Sequence, residues 1–263
     1  MLTPKKSLGQ NFLIDKNIIK KIIKTISIKN ENILEIGPGT GNLTKKILEI
    51  GPKSFFAIEK DKELFLSLKK NFYNFRRFDL INKDILKVNL EKILKKETII
   101  FGNLPYNIST KILTNLIRFK IWPPKYKKLV LMFQKEVADR VISKFNTKNY
   151  GRLSILAHWK LNIKKVCDVK PSSFFPKPKV DSSVLYFEPK FDFFPLRNAK
   201  NLEKLTRVFF MHRRKMLKKP YNNLFEGNLK TANNLKIDLN LRPQNLDFDT
   251  YYQLTREYEN LRN

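Results

Sequence analysis

Three glycines and two acidic residues are the first group in this chain whose types and spacing point to chemistry. Gly37, Gly39 and Gly41 follow the strand-like run NILEI, where residues without side chains let a ligand approach the backbone. Glu59 closes the next strand-like run, near the roughly 20-residue spacing at which an acid accepts hydrogen bonds from ribose hydroxyls. Asp84 closes the run after that. The group favours a ligand that contains a nucleoside, although glycines alone would also suit a tight turn.

The spacing of the glycines narrows the class of ligand. The pattern G-x-G-x-G lacks the last glycine of a dinucleotide fingerprint, and no Lys-Ser or Lys-Thr pair follows it as in a phosphate-binding loop. A pyrophosphate group is therefore not indicated. A nucleoside without phosphates fits better, with its ribose on Glu59 and its adenine near Asp84. S-adenosylmethionine is such a ligand.

The stretch FGNLPYNIST (101–110) is a second candidate for chemistry. It ends the strand-like run ETIIFGN, and a loop that only turned the chain would not need Asn103, Pro105 and Tyr106 together. An ordinary turn is the alternative, because Asn and Pro are common turn formers. The place of this stretch behind the glycines and acids favours a role in binding or catalysis.

Strand-like runs alternate with helix-like segments through the first half of the chain. This alternation predicts an α/β fold, with a parallel sheet that helices cover on both faces. In such sheets ligands bind beyond the carboxyl ends of the strands, which is where the glycines, the acids and Asn103 stand. The strand candidates are 32–37, 54–59, 77–84, 97–103 and 127–134.

The carboxyl-terminal part of the chain reads differently. Apolar residues recur at helical spacing from Leu202 to Met216, and Lys218-Lys219-Pro220 is expected to end that helix. A chain of 263 residues suits one large and one smaller domain. We predict a catalytic domain over residues 1–190 and a helical domain over residues 191–263. Within the latter, a last helix is expected to face inward with Leu254, Tyr258 and Leu261.

Composition and charge limit the function further. The formal charge of +29 favours a polyanionic partner, although a chain crowded with Lys, Asn and Ile and poor in Gly also suggests A/T-biased coding. A single cysteine excludes intrachain disulfides and thiolate clusters, and with two histidines no metal site is expected. The sequence shows no apolar run of the roughly 18 residues that span a bilayer and no secretory leader, so we expect a cytoplasmic protein without a membrane partner.

The motifs taken together resemble a known family. ILEIGPGTGNLT is similar to the cofactor motif of class I methyltransferases, and NLPY resembles the motif that adenine amino-group methyltransferases place around their target base. GQNFLID, FGNLPYNIST, LMFQKEVADR, YGRLSIL and FFPKPKVDSSV follow in the order typical of the dimethyladenosine transferases of small-subunit ribosomal RNA, the KsgA family. The resemblance implies a Rossmann-like class I methyltransferase sheet with a small carboxyl-terminal all-helical domain. It also implies S-adenosylmethionine-dependent dimethylation of the N6 amines of two adjacent adenosines near the 3′ end of that RNA, in ribosome biogenesis.

The resemblance gives the NLPY stretch a chemical role. The adenine amine is a poor nucleophile because its lone pair is delocalised into the ring, so acceptors for its two N–H bonds would favour the reactive pyramidal geometry. The side-chain oxygen of Asn103 and the carbonyl of Leu104 are the predicted acceptors, and Asn103 is also expected to contact the cofactor. Pro105 would fix the turn with its locked φ, and Tyr106 would stack on the extruded base.

Two further segments receive roles from the resemblance. Phe174 is implied as the aromatic on the other side of the target adenine, although the adjacent Phe175 leaves the choice open and a rigid surface loop is the alternative. Asn11 and Leu13 are implied to close over the methionine end of the cofactor. The alternative for that segment is a simple lead into the helix that is expected near Asp15.

A basic cluster suggests where RNA would bind. The alternative is a solvated basic face, but paired arginines in a chain that prefers Lys are less easily explained by coding bias. The expected partner is small-subunit ribosomal RNA within a pre-ribosomal particle, bound by a monomer. The residues expected to grip phosphates are Arg207, Arg213, Arg214, Lys215 and Lys218.

Two rival functions stay open on the sequence alone. The large-subunit adenine dimethylases that confer antibiotic resistance share the cofactor and NLPY-like motifs, although FFPKPKVDSSV and HRRK favour the small-subunit enzymes. An assembly or transcription factor with the same fold would bind nucleic acid without catalysis. Intact Asn103, Tyr106 and Glu59 argue against lost catalysis.

Overall fold

A seven-stranded mixed sheet is the main feature of the computed structural model, which describes residues 4–262 of the chain. In the described residues the strands are β1 (Phe12–Leu13), β2 (Asn32–Ile36), β3 (Ser54–Glu59), β4 (Phe78–Asn82), β5 (Thr98–Asn103), β6 (Tyr126–Gln134), β7 (Leu161–Val169), β8 (Phe174–Phe175) and β9 (Ser182–Pro189). The order across the sheet is β4-β3-β2-β5-β6-β9-β7. Strands β1 and β8 form a separate antiparallel ribbon.

The five strands foreseen from the sequence are parallel to one another, as predicted. Strand β9 pairs antiparallel with β6, and this mixed edge was not foreseen. The strand order reverses at β2, whose last residue Ile36 pairs with Ile58 on one side and with Gly102 on the other. This register brings the residues that follow β2, β3 and β5 to one edge of the sheet, at a topological switch point.

Helices connect and cover the strands, and the first shows how local sequence sets their limits. The carboxylate of Asp15 accepts hydrogen bonds from the backbone N–H groups of Asn17 and Ile18 and so caps the helix, which buries Ile19 and Ile22. The expected helix near Asp15 is therefore confirmed. In the described residues the helices are α1 (Lys16–Lys24), α2 (Asn42–Ile50), α3 (Lys62–Asn71), α4 (Leu90–Ile93), α5 (Ser109–Ile117), α6 (Lys135–Ile142), α7 (Arg152–Lys160), α8 (Ala199–Phe210), α9 (Lys218–Phe225), α10 (Lys230–Asn234) and α11 (Phe248–Asn260), with 3₁₀ turns at Lys6–Leu8, Ile85–Lys87, Pro171–Ser173 and Pro243–Asn245.

The chain divides into two compact units. The first contains the described residues of Met1–Asn115, Ile121–Ala138 and Asn162–Pro189, and it carries the sheet. The second is largely helical and contains Leu116–Lys120, Asp139–Leu161 and the described residues of Lys190–Asn263. It therefore draws on two internal segments in addition to the residues after 190 that the sequence assigned to a helical domain.

Two details of the second unit correct the sequence analysis. The helix expected to run to Met216 ends at Phe210, and Lys218-Lys219-Pro220 begins α9 instead of ending a helix. Proline is tolerated there because the first N–H groups of a helix have no intrahelical acceptor. Leu254 and Tyr258 are buried as expected, but Leu261 lies beyond the end of α11 and is half exposed.

Across residues 4–262, no helix combines the length and the apolar character that crossing a bilayer requires.

Candidate active site

A cavity opens in the first unit where strands β2, β3 and β5 end. It is the place at which a doubly wound sheet binds its ligands. The cavity brings together most of the cofactor-binding and catalytic residues predicted from the sequence. Those that line it are Asn11, Leu13, Gly37, Gly39, Glu59, Asp84, Asn103, Leu104, Pro105 and Tyr106.

The glycine turn forms the floor of this cavity. Gly37 and Gly39 have φ angles of 69° and 59°, in the left-handed region that favours glycine. A Cβ on Gly37 would meet no protein atom within 4 Å, so a ligand has room to reach the backbone there. Gly41 is not among the lining residues, and a Cβ on it would lie 2.7 Å from the ring of Phe72. Gly41 therefore packs against Phe72, and its assignment to the cofactor stays a prediction.

Glu59 has a carboxylate that is buried and only partly bonded. Its Oε2 accepts the N–H of Gly39 at 3.1 Å, and its Oε1 accepts the N–H of Asp61 at 2.8 Å. Burial raises the pKa of Glu59, and these two backbone donors oppose the rise. A carboxylate has about four acceptor positions, so it retains acceptor capacity for hydroxyl groups of a ligand.

Asp84 is held at the next strand end. Its carboxylate accepts the N–H of Leu86 at 3.0 Å and pairs with the ammonium of Lys60 at 3.0 Å. Burial raises the pKa of Asp84, but the contacts with Leu86 and Lys60 outweigh it and the net pKa is lowered. Asp84 is therefore an ionised acceptor at the edge of the cavity.

Asn103 is oriented by a bond to the amino-terminal segment. Its Nδ2 donates to the carbonyl of Asn11 at 2.8 Å, across 92 positions of the chain. Because the amide nitrogen is engaged, the side-chain oxygen is the atom that remains as an acceptor. This is the atom that the sequence analysis expected to accept an amine N–H. The same bond explains why Asn11 is placed at the cavity through its backbone.

Tyr106 and Pro105 complete the wall after β5. The Tyr106 hydroxyl shares a hydrogen bond of 2.7 Å with the hydroxyl of Ser182. Burial raises the pKa of Tyr106, so the phenol is neutral in the physiological range. Leu104 is 1% exposed, which anchors the turn in the core, and it is among the residues that line the cavity.

Three contacts hold the amino-terminal segment over the cavity, and the sequence analysis missed them. Gln10 donates to the carboxylate of Asp61 at 3.1 Å, and Lys5 pairs with the same carboxylate at 2.9 Å. Asn42 donates to the carbonyl of Leu13 at 2.8 Å. No local pattern signals these contacts, because the partners are far apart in sequence.

Glu35 is a further cavity residue that the sequence analysis did not select. It is 2% exposed, and its carboxylate accepts the hydroxyl of Thr44 at 2.6 Å. Its pKa is raised to about 7, mainly by burial, with Thr44 opposing the rise and the nearby Glu59 adding to it. An acid between the apolar residues Leu34 and Ile36 of strand β2 was the available signal.

Phe174 is placed differently from the other predicted site residues. It is 1% exposed, pairs with Leu13 across the ribbon, and packs in the hydrophobic core without lining the cavity. Its neighbour Phe175 is 58% exposed. The assignment of Phe174 as a stacking partner of the target base stays a prediction.

The predicted phosphate-binding residues lie in the second unit, but not on one helix. Arg207 is an exposed residue of α8, whereas the other residues lie in the turn after it or at the start of α9. Arg213 donates to the carbonyl of Lys148 at 2.6 Å and to Gln244 at 3.1 Å, so it stabilises the turn after α8. A concave surface, named here the basic groove, is lined by Arg214, Lys215, Lys218, Lys219 and Arg242.

Comparisons with known proteins agree on one family. The family model for ribosomal RNA adenine dimethylase matches residues 1–260. A protein named ribosomal RNA small subunit methyltransferase A from Pelagibacter ubique is 55% identical, covering 98% of each chain. One of the same name from Prochlorococcus marinus strain AS9601 is 42% identical, covering 95% of this chain and 94% of the relative.

Solved structures show the same fold. A dimethyladenosine transferase from Plasmodium falciparum superposes with a TM-score of 0.80 at 30% identity, over 95% of this chain and 98% of the other. The 23S rRNA methyltransferase ErmE superposes with a TM-score of 0.68 over 95% of this chain and all of its own, at 19% identity. The predicted class I methyltransferase fold is thereby confirmed.

Proposed function

Because the chain belongs to the ribosomal RNA adenine dimethylase family, we propose that its cavity binds S-adenosylmethionine beside a target adenosine of small-subunit ribosomal RNA. The product would be dimethylated N6 amines on two adjacent adenosines near the 3′ end of that RNA. The observation that carries the proposal is the orientation of Asn103, whose oxygen is left as an acceptor at the cavity.

The residues present fit the cofactor. The open space above Gly37 admits a ligand to the backbone, and the retained acceptor capacity of Glu59 suits ribose hydroxyls. The ionised Asp84 suits the amino group of an adenine. Asn11 and Leu13 would hold the methionine end, because the contacts of Gln10 and Asn42 fix their segment beside the cavity. When bound, S-adenosylmethionine supplies a methyl group activated by a sulfonium.

The chain's own part in the reaction is to prepare the amine. The Asn103 oxygen and the Leu104 carbonyl would accept the two N–H bonds of the target amine and so favour the geometry in which its lone pair is available. Tyr106, neutral and anchored by Ser182, would stack on the base and hold it in place. The remaining rate enhancement would come from alignment of the reacting atoms, so the protein needs no covalent nucleophile.

The basic groove supports a role for the second unit in RNA binding. Its five cations line one concave surface, and Lys and Arg gain affinity for nucleic acid by releasing counterions from phosphates. We propose that Arg214, Lys215 and Lys218 grip the RNA of a pre-ribosomal small-subunit particle. Arg207 would add an exposed charge on α8, and Arg213 would position the turn.

The test is methyl transfer by the purified enzyme to small-subunit particles from cells that lack it. Labelled cofactor and mass spectrometry of nuclease digests are expected to show dimethyladenosine at two adjacent positions near the 3′ end. Large-subunit particles serve as the control and are expected to remain unlabelled. Labelling of the large subunit alone would favour the resistance-type enzyme, and tight particle binding without any transfer would favour an assembly factor.

A further inference from the structure

The loop between β8 and β9 presents a pattern that the cavity alone does not use. Its sequence over residues 174–182 is FFPKPKVDS, named here the FFPKPKVDS loop. Alternation along the ribbon buries Phe174 and turns Phe175 outward, where it is 58% exposed. Lys177 and Lys179 are exposed as well. An exposed aromatic residue followed by two exposed cations is the composition of a surface that binds single-stranded nucleic acid.

Both ends of this loop contact residues that line the cavity. At one end Phe175 pairs in register with Phe12, which lines the cavity. At the other end the hydroxyl of Ser182 bonds to that of Tyr106, the residue proposed to hold the target base. The loop therefore stands beside the base-binding wall of the first unit, which makes the neighbouring nucleotide of the same RNA its nearest ligand.

The charges of the loop suit an RNA backbone. Its one acid, Asp181, pairs with Lys170 at 2.9 Å, so its charge is compensated. Within residues 4–262, Lys177 and Lys179 make no ion pair and are available to phosphates. Recognition of unpaired RNA relies on stacking of splayed bases on aromatic side chains, with cations following the backbone.

We propose that Phe175 stacks on the nucleobase adjacent to the target adenosine, while Lys177 and Lys179 contact the flanking phosphates. The proposal rests on the proposed function and deepens it. With two adjacent adenosines as substrate, the base on Phe175 is the second member of the pair while the first occupies the cavity. Phe175 then is a positioning residue for the pair, distinct from the aromatic residue implied at Phe174.

The test compares variants in methyl transfer to small-subunit particles from cells that lack the enzyme. Phe175→Ala is expected to raise KM for the particle about ten-fold, within the range for loss of one stacked base, with kcat changed less than about two-fold. Phe175→Trp is expected to restore KM. Tyr73→Ala removes another exposed aromatic of the first unit and is the matched control, with KM unchanged.

Two outcomes would overturn the stacking role of Phe175. One is an unchanged KM for Phe175→Ala. The other is full activity of Phe175→Leu, because an aliphatic residue cannot stack. Lys177→Ala with Lys179→Ala should lower the salt slope of particle binding by about one to one and a half units, and an unchanged slope would reject the phosphate contacts.

The same variants distinguish this proposal from the proposed function. If the wild-type enzyme transfers no methyl group, the proposed function fails. Filter binding of the particle by wild type, Phe175→Ala and Phe175→Trp would then still decide the role of Phe175, with a ten-fold loss and its rescue as the supporting result. Calorimetric titration of S-adenosylmethionine should give equal affinities for wild type and Phe175→Ala, which shows that the fold is intact.

Discussion

The cavity of the first unit and the basic groove of the second hold their polar residues in opposite ways. In the cavity, Glu59 and Asn103 are fixed by bonds to backbone groups, and the Asn103 oxygen and the remaining acceptor positions of Glu59 are left for a ligand. In the basic groove, Lys215 and Lys218 are exposed side chains on a concave surface. Ligand binding and catalysis in the cavity are therefore expected to depend on individual atoms. RNA binding by the groove is expected to depend on the sum of its charges.

The largest effect on methyl transfer is expected from loss of the side-chain oxygen of Asn103. Asn103→Ala removes an acceptor that is used mainly when the amine becomes pyramidal, which corresponds to about 3 to 4 kcal/mol and a loss of roughly 100-fold to 1000-fold in turnover. Binding of the RNA particle should barely change. Single-turnover transfer of labelled methyl groups, together with filter binding of the same particles, measures both quantities.

Two further substitutions sharpen this test. Asn103→Asp keeps a side-chain oxygen but loses the Nδ2 donor that bonds to Asn11, so it should also be impaired if orientation matters. Asn74→Ala changes an exposed asparagine of the same unit and should behave as wild type. Near-normal methyl transfer by Asn103→Ala would refute the proposed mechanism.

The next effect concerns the buried acid of the cavity. Burial raises the pKa of Glu35 to about 7 from its ordinary value of 4.5, so the folded protein retains a proton that the unfolded chain loses between these pH values. The folded state binds more protons in this window, so its free energy of unfolding must fall as pH rises from about 4.5 to 7. Glu35→Gln should abolish that part of the decline, about 3 kcal/mol.

Denaturant unfolding across this pH range provides the measurement. Glu49→Gln makes the same chemical change on an exposed face of α2 and should retain the wild-type slope. Equal slopes for wild type and Glu35→Gln would show that Glu35 does not titrate between these pH values. The buried acid of the cavity would then respond to pH as an exposed acid does, and this electrostatic difference between the cavity and the protein surface would not exist.

Two glycines in one turn should give different losses of smaller size. Alanine at either Gly37 or Gly39 meets a left-handed φ, which costs about 1 to 2 kcal/mol. A Cβ at Gly39 would also lie 2.9 Å from the ring of Phe12, so Gly39→Ala should have the lower melting temperature. A Cβ at Gly37 points into the open ligand space, so Gly37→Ala should lose more affinity for S-adenosylmethionine relative to its loss of stability.

Thermal melting and calorimetric titration of the two variants separate these losses. The two proteins serve as controls for each other, because the backbone strain is common to both. If Gly37→Ala bound the cofactor as well as wild type, the ligand would not occupy the space above that glycine. If the two melted alike, the contact with Phe12 would be unimportant.

The sequence was a good guide to the cavity because its residues are tied to local patterns. Strand ends, glycine turns and the NLPY motif are each visible within a few residues, and parallel strands bring their ends together without further information. The bonds from Asn103 to Asn11 and from Gln10 to Asp61 could not be foreseen, since they join positions 92 and 51 residues apart. Long-range side-chain bonds leave no periodic trace in a sequence.

Around the basic groove, by contrast, local sequence patterns predicted the structure poorly. Apolar periodicity continues past Phe210 and predicts a helix end at Pro220, whereas Pro220 lies in the first turn of the next helix. Helical spacing alone could not show that Met216 is exposed and that the chain turns before it. Of the cationic residues predicted from the sequence, Arg214, Lys215 and Lys218 line the groove, where the fold adds Lys219 and Arg242. Their role in RNA binding stays a prediction.

The smallest effect per residue is expected from substitutions in the basic groove. They test directly whether the groove acts through its summed charge and the cavity through individual atoms. Lys215→Ala with Lys218→Ala should leave methyl transfer at saturating particle concentration unchanged, because neither residue lines the cavity. The double variant should lower the salt slope of particle binding by about one and a half to two units, since each lost phosphate contact removes just under one unit. Lys69→Ala with Lys70→Ala removes the same charge from an exposed face of α3 and should leave the slope unchanged.

Arg213 separates charge from position within the same turn. Its guanidinium is held by the carbonyl of Lys148 and by Gln244, so Arg213→Ala should lower the melting temperature while changing the salt slope less than either exposed lysine does. Filter binding over a range of salt concentrations, with thermal melting beside it, measures both. A slope change for Arg213→Ala as large as that of one exposed lysine, without loss of stability, would make Arg213 a phosphate ligand. The groove would then depend on a positioned group, as the cavity does, and the distinction between the two regions would fail.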